Sequence, residues 1–187
     1  MDLEYVKEHI YVLNMSELKN ICCNINVDYN IYIDTDNGIK KIHDSLHKEF
    51  IINKIIKVLD GGEDNKIIYS KRIQSYESTQ NLKGNDLVYY GQYNTTDTNV
   101  KSLMAKLTKG RFKFGAISQK IIKKYWSRNR LISYKDFAKK WLKEHSNGEI
   151  NYDELAYNKF MKKYGDKTKW FNEKKAVIKK IKTMGLL

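Results

Sequence analysis

Apolar residues recur at helical spacing along most of this chain, and each run is bounded by a capping residue or a glycine, so the fold is committed to helices packed through one face. Leu3, Val6, Ile10 and Leu13 form the first stripe, and Leu18, Ile21, Cys22 and Ile25 a second that opens near Ser16. A stronger helix is predicted from about Ser45 to Leu59, with Leu46, Phe50, Ile51, Ile55, Val58 and Leu59 inward and Gly61-Gly62 as its stop. Beyond Asp97 the pattern is almost wholly helical. Asp97 caps a helix carrying Val100, Leu103, Met104 and Leu107, which Gly110 ends. Ile117, Ile121, Ile122, Tyr125 and Trp126 mark the next. Ser133 with Asp136 forms a capping box ahead of Phe137, Trp141 and Leu142, with Gly148 beyond that helix. Asn151 with Glu154 opens a helix carrying Leu155 and Phe160, and a last helix spans about 168–183 with Phe171, Val177, Ile178 and Ile181.

Two stretches depart from this period. Residues 27–42 place Ile31, Tyr32 and Ile33 before Asp36-Asn37-Gly38, a turn signal between extended pieces that reads as a hairpin or a long loop. Residues 66–74 and 86–93 read as two further strands. The expected fold class is therefore mainly α, an α+β chain whose β part is limited to minor hairpins. With 187 residues and a 41% hydrophobic share, the chain can bury a real core as one domain or two small ones.

Charge is sorted along the chain. Residues 1–62 carry seven Lys/Arg against ten Asp/Glu, whereas residues 63–187 carry twenty-eight against twelve, so the formal net charge of +13 belongs to the second part. The sign changes around Gly61 to Asn65, which sets an expected division into a helical module at 1–62 and a basic, mainly helical domain at 66–187. A cationic field of that density favours polyanions, because each phosphate neutralised by Lys or Arg releases condensed counterions. The alternative is a set of lysines that only solvate the surface.

Within the first part, Lys48-Glu49-Phe50-Ile51-Ile52-Asn53-Lys54-Ile55-Ile56-Lys57-Val58-Leu59 resembles the second helix of the SAP motif, a small helix-loop-helix DNA-binding module. Met15-Ser16-Glu17-Leu18-Lys19-Asn20-Ile21-Cys22 is similar to its first helix. About twenty residues separate the two, where the family has a short Gly-x-Lys loop, so the module carries an inserted hairpin or loop. Downstream, Asn99-Val100-Lys101 with Met104, Arg111-Phe112-Lys113-Phe114, Ile121-Ile122-Lys123 and Tyr134-Lys135-Asp136 to Trp141 resemble an uncharacterised domain that follows SAP-like motifs in small bacterial and phage proteins. The two resemblances cover about residues 3–145 and imply nucleic-acid association, with no established chemistry.

The densest cationic stretch with interleaved aromatics comprises Lys109, Arg111, Lys113, Lys120, Lys123, Lys124, Arg128 and Arg130, with Phe112, Phe114, Tyr125 and Trp126 among them. These eight cations are the expected nucleic-acid-binding residues, with Lys120, Lys123 and Lys124 sharing one helical face that tracks phosphates without reading sequence. Phe112, Phe114 and Trp126 read as core side chains. The lysines of the last helix, Lys174, Lys175, Lys179, Lys180 and Lys182, are spread around it and read as a solvated surface.

Signatures of catalysis are missing. There is no phosphate-binding glycine loop and no nucleophile elbow, and the basic part holds only scattered Asp86, Asp97, Asp136 and Glu144, so no enzymatic activity and no cofactor are expected. His43 and His47 have metal-site spacing but no third ligand, and Asp34-Thr35-Asp36-Asn37-Gly38 fits a turn better than a calcium loop, so no metal is expected. Adjacent Cys22 and Cys23 fit neither a disulfide staple nor a zinc pair and read as a packed residue with a half-exposed neighbour. No apolar run reaches membrane-span length and Met1-Asp2-Leu3-Glu4 is unlike a signal peptide, so the expected location is cytoplasmic without a membrane partner. The absence of proline and the wealth of Ile, Asn, Lys and Tyr point to an A/T-rich genome of a bacterium, phage or mobile element. The expected function is a non-enzymatic DNA-binding accessory protein of low sequence specificity, with DNA preferred over RNA. The alternative is an inhibitor from a phage or mobile element that binds a host defence nuclease or its nucleic-acid complex, of the anti-CRISPR or anti-restriction type.

Overall fold

The computed structural model describes residues 2–146 and 166–186. Among them the chain is mainly α-helical, with seven α-helices and one three-stranded sheet: α1 (Asp2–His9), α2 (Met15–Asn24), β1 (Asn30–Thr35), β2 (Gly38–Ser45), α3 (Lys48–Leu59), β3 (Ile67–Tyr69), α4 (Thr98–Leu107), α5 (Ala116–Trp126), α6 (Tyr134–Ser146) and α7 (Lys167–Thr183). Single 3₁₀ turns occupy Ile10–Val12 and Lys71–Ile73. The helix read from Asn151, Glu154, Leu155 and Phe160, and the Gly148 stop before it, lie outside the described residues.

The chain condenses into two compact units that alternate along the sequence. The first contains residues 2–30, 44–66 and 166–186, and the second residues 31–43 and 67–146. One crossing, between Lys66 and Ile67, falls just after the change of charge sign.

In the first unit α1 and the adjacent 3₁₀ turn pack against α7, and α2 packs against α3. Its interior is aliphatic, with Val6, Ile10, Leu13, Leu18, Ile21, Ile51, Ile55, Val177 and Ile181 almost fully buried. α2 starts at Met15 because Asn14, rather than Ser16, closes a capping box: its side chain accepts from the Glu17 amide at 3.0 Å, and Glu17 Oε2 accepts from the Asn14 amide at 2.7 Å. α3 starts at Lys48, three residues later than expected, because Ser45 still belongs to β2. Phe171 is 58% exposed, so α7 buries only the Val177 and Ile181 part of its expected stripe. Cys22 is buried and Cys23 exposed, both free thiols, and burial pushes the Cys22 thiol up to about 12.

In the second unit the strand order is β2-β1-β3, with β1 parallel to β3 in the register Ile31 to Ile67, Tyr32 to Ile68 and Ile33 to Tyr69. Asp36-Asn37 makes the turn between β1 and β2, resolving the hairpin-or-loop choice in favour of the hairpin. That places His43 on a strand and His47 just before α3, so their sequence spacing is not a helical i, i+4 pair. The strand expected at 86–93 is not formed as such. Only isolated bridges appear, Gln74 to Tyr90 and Leu87 to Ser133. At Gly91 φ is +98° and a Cβ would meet the Ser75 carbonyl oxygen at 2.6 Å, so the turn and close approach at this position require glycine.

α4, α5 and α6 complete the second unit, α6 packing on both α4 and α5. Asp97 caps α4 by accepting from the amides of Asn99 and Val100 at 2.9 and 3.0 Å, and Gly110 at φ +76° closes its end, as read from the sequence. At α6 the serine half of the expected box is present, with Asp136 N donating to Ser133 Oγ at 3.1 Å, and Asp136 Oδ2 accepts from the Ser133 hydroxyl at 2.8 Å. The core here is aromatic. Trp126 lies edge-on to Tyr69, Tyr90 and Tyr93, with centroids 5.5 to 6.1 Å away, and Tyr93 reaches Phe114 and Phe137.

Candidate nucleic-acid interface

The two units differ in net charge. Over the described residues the second unit carries nineteen Lys/Arg against seven Asp/Glu, net +12, whereas the first carries thirteen against twelve, net +1. The near-neutrality of the first unit arises because α7, rich in lysine, joins segments 2–30 and 44–66, which carry six Lys/Arg against ten Asp/Glu, and packs on acidic α1. Lys174 pairs with Glu17 at 3.0 Å, Lys180 with Asp2 at 2.5 Å, and Tyr5 Oη donates to Glu173 at 2.6 Å. The lysines of α7 expected as a solvated surface thus include two engaged in ion pairs. The Lys180 ammonium, by hydrogen bond and charge, holds the Asp2 carboxyl below its usual range.

In the second unit the cations gather where α5 ends. α5 terminates in a Schellman arrangement: Asn129 adopts φ +51°, and the Arg130 amide donates back to the Tyr125 carbonyl at 3.0 Å. Asn129 is itself clamped. Its Oδ1 accepts from the Ser70 amide at 2.8 Å, and its carbonyl accepts from Arg72 Nη2 at 3.1 Å. Arg128 and Arg130, the exposed residues on either side of it, are therefore attached to a fixed backbone corner. Their charge also lies where the carbonyl end of the helix dipole favours cations.

Beside this corner lies a recess of about 160 Å³. Lys124, Arg128, Arg130 and Lys140 line it with half-buried Tyr125, buried Ile121 and one carboxylate, Glu144. Tyr125 and Lys140 are shared with a second, wider recess of about 640 Å³, whose apolar lining is Leu87, Leu131 and Ile132 and whose border includes Lys139 and Asp136. The Lys140 ammonium stands 6.0 Å from the Tyr125 ring centroid, at the limit of cation–π range.

The structure thus brings three of the eight sequence-predicted cations, Lys124, Arg128 and Arg130, to one place. Lys120 and Lys123 correct the expectation of an outward three-lysine face: Lys123 is 8% exposed and Lys120 half-buried, because α5 is covered on more than one side, and both make interactions within the chain. Lys109, Arg111 and Lys113 are exposed but sit on the α4–α5 connection, which is anchored by Phe112 against Phe137 and Trp141, and they do not line the recess. Sequence reading missed Lys140. Its signal was the exposed face of α6, where Lys139, Lys140 and Lys143 alternate with buried Phe137, Ala138 and Trp141. Of the three aromatics expected in the core, Trp126 is buried and its Nε1 donates to the Val88 carbonyl at 3.1 Å, whereas Phe112 and Phe114 are half-buried at the edge of the ring cluster.

Among the described residues no group of three His, Cys, Asp or Glu side chains is arranged to hold a metal ion. No helix described is long and apolar enough to cross a membrane. No family model matches the chain, and neither a curated protein nor a solved structure is significantly similar to it.

Proposed function

We propose that this protein is a non-enzymatic nucleic-acid-binding accessory factor whose second unit grips phosphates with little sequence preference. The observation that carries the reading is the gathering of Lys124, Arg128, Arg130 and Lys140 around Tyr125 in a unit of net charge +12. Exposed lysine and arginine at such a corner meet phosphate oxygens without approaching base edges, which yields affinity rather than specificity. The SAP-like resemblance of α2 and α3 points to the same class of partner. Those helices belong to a unit of net charge +1, which supplies no field to hold a polyanion, so contact is assigned to the second unit.

The test is a double charge reversal, Arg128→Glu with Arg130→Glu, beside a matched control on exposed α4 positions, Lys101→Glu with Lys106→Glu. Binding to DNA and RNA oligonucleotides is read by fluorescence anisotropy at two salt concentrations. The corner variant is expected to lose at least about tenfold in affinity and to show a shallower salt dependence, while the control loses far less. A folded corner variant that binds like its control overturns the assignment. Failure of the wild-type protein to bind any bare nucleic acid overturns the function and leaves a protein-directed inhibitor as the reading to pursue.

A further inference from the structure

We infer that the recess around Tyr125 receives unpaired nucleotides, so that the polymer held by this unit is a single strand rather than a duplex; the inference rests on the phosphate-binding reading above. The first argument is size. A cavity of about 150 Å³ accommodates one six-membered ring, and the recess of about 160 Å³ offers room for one base at a time. The second is the distribution of polarity. Lys124, Arg128, Arg130 and Lys140 are all exposed, whereas Tyr125 and Glu144 are half-buried and Ile121 is buried. The less exposed lining is thus the Tyr125 ring, Ile121 and Glu144, while the exposed side chains are the four cations. That is the arrangement needed by a base entering the recess with its phosphates left at the surface.

The neighbouring recess extends the argument. Leu87, 38% exposed, and half-buried Leu131 give the neighbouring recess an apolar lining that it shares with Tyr125, Lys139 and Lys140. A duplex presents phosphates and groove edges and keeps its base faces stacked inside, so it cannot use such a surface. A single strand can lay successive bases on aromatic and apolar side chains while cations follow its backbone. The Asn129 clamp adds preorganisation, because Arg128 and Arg130 are set on a corner fixed by Ser70 and Arg72.

The experiment compares a labelled single-stranded oligonucleotide with its duplex, at one salt concentration, for the wild-type protein and for Tyr125→Leu and Tyr125→Phe. The single strand is expected to bind at least about tenfold more tightly than the duplex. Tyr125→Leu is expected to weaken single-strand binding by about five- to 150-fold, the range for loss of one base–aromatic stack, and to leave duplex binding unchanged, while Tyr125→Phe behaves as wild type. Photocrosslinking of the unaltered protein to a 4-thiothymidine strand, mapped by mass spectrometry, gives a readout that does not depend on any variant folding. The crosslink is expected on the tryptic peptide Tyr125–Arg128. Equal affinity for both polymers, a folded Tyr125→Leu that binds single strands normally, or crosslinks confined to other peptides each overturn the inference while leaving phosphate binding intact. If neither polymer binds, the functional reading falls and this inference with it.

Discussion

The two units solve the same packing problem with different materials. The first buries aliphatic side chains and matches its charges internally, Lys174 to Glu17, Lys180 to Asp2 and Lys54 to Asp64 at 2.8 Å. The second buries linked aromatic rings and carries nineteen cations against seven carboxylates, net +12, with Lys71 paired to Asp36 and Lys139 to Asp136. Like charges on one small unit repel one another, so the basic unit needs a core that holds without help from its surface. Edge-to-face ring pairs supply about 0.5–1.5 kcal/mol each beyond their buried area, and Trp126 joins three of them. The lesson is that the unit whose cations far outnumber its carboxylates is the one equipped to offer charge to a partner.

The largest expected effect breaks that core. Trp126→Ala removes a side chain only 3% exposed, opens a cavity among Tyr69, Tyr90 and Tyr93, and leaves the Val88 carbonyl without its indole donor. A loss of about 3–5 kcal/mol in urea unfolding is expected, at the upper end for a core truncation. Ile55→Ala in the first unit is the comparison, with an expected cost of about 2–4 kcal/mol. A larger loss from Ile55→Ala than from Trp126→Ala reverses the ranking of the two cores.

Which parts of this were legible beforehand follows from the range of the interactions. Helix positions and caps depend on residues three or four apart, so Asp97, Gly110 and the Ser133 cap of α6 could be read directly. The absence of a strand at 86–93 could not, because the segment makes only isolated bridges, to Gln74 and Ser133, whose geometry is set by contacts distant in sequence. The interleaving of the units was hidden for the same reason: pairing of Ile31 with Ile67 and of Lys174 with Glu17 is non-local. The candidate site was half visible. Lys124, Arg128 and Arg130 lie close in sequence, but Lys140 joins them only through the packing of α6 on α5, and the burial of Lys123 depends on what surrounds α5.

A middle-sized effect concerns a charge that the second unit does match. Burial alone would raise the Asp97 carboxyl, but the bonds from Thr79 Oγ1 at 2.7 Å and from the Val100 and Asn99 amides outweigh it and hold the group below its ordinary value. A depressed carboxylate stabilises the fold above the ordinary value of about 3.9, and that contribution is lost as pH falls through the depressed one. Asp97→Ala is therefore expected to cost about 1–2 kcal/mol at pH 7. The gap from wild type should narrow below about pH 4. A gap that persists undiminished at pH 2 assigns the cost to packing rather than to the ionised cap.

The smallest effect sharpens the contrast most. Lys174→Met keeps the aliphatic stem against the first unit but removes the ammonium that faces Glu17, and both side chains of this pair are about one-quarter exposed. Such a pair contributes about 0.2–1 kcal/mol, and at 1 M salt, where the screening length is about 3 Å, the urea midpoints of variant and wild type should converge. Nucleic-acid affinity should not change, because Lys174 is already engaged with Glu17 and the first unit carries almost no net charge. Reduced affinity in Lys174→Met would place α7 in the interface and remove the division of labour between a self-neutralised unit and a charged one.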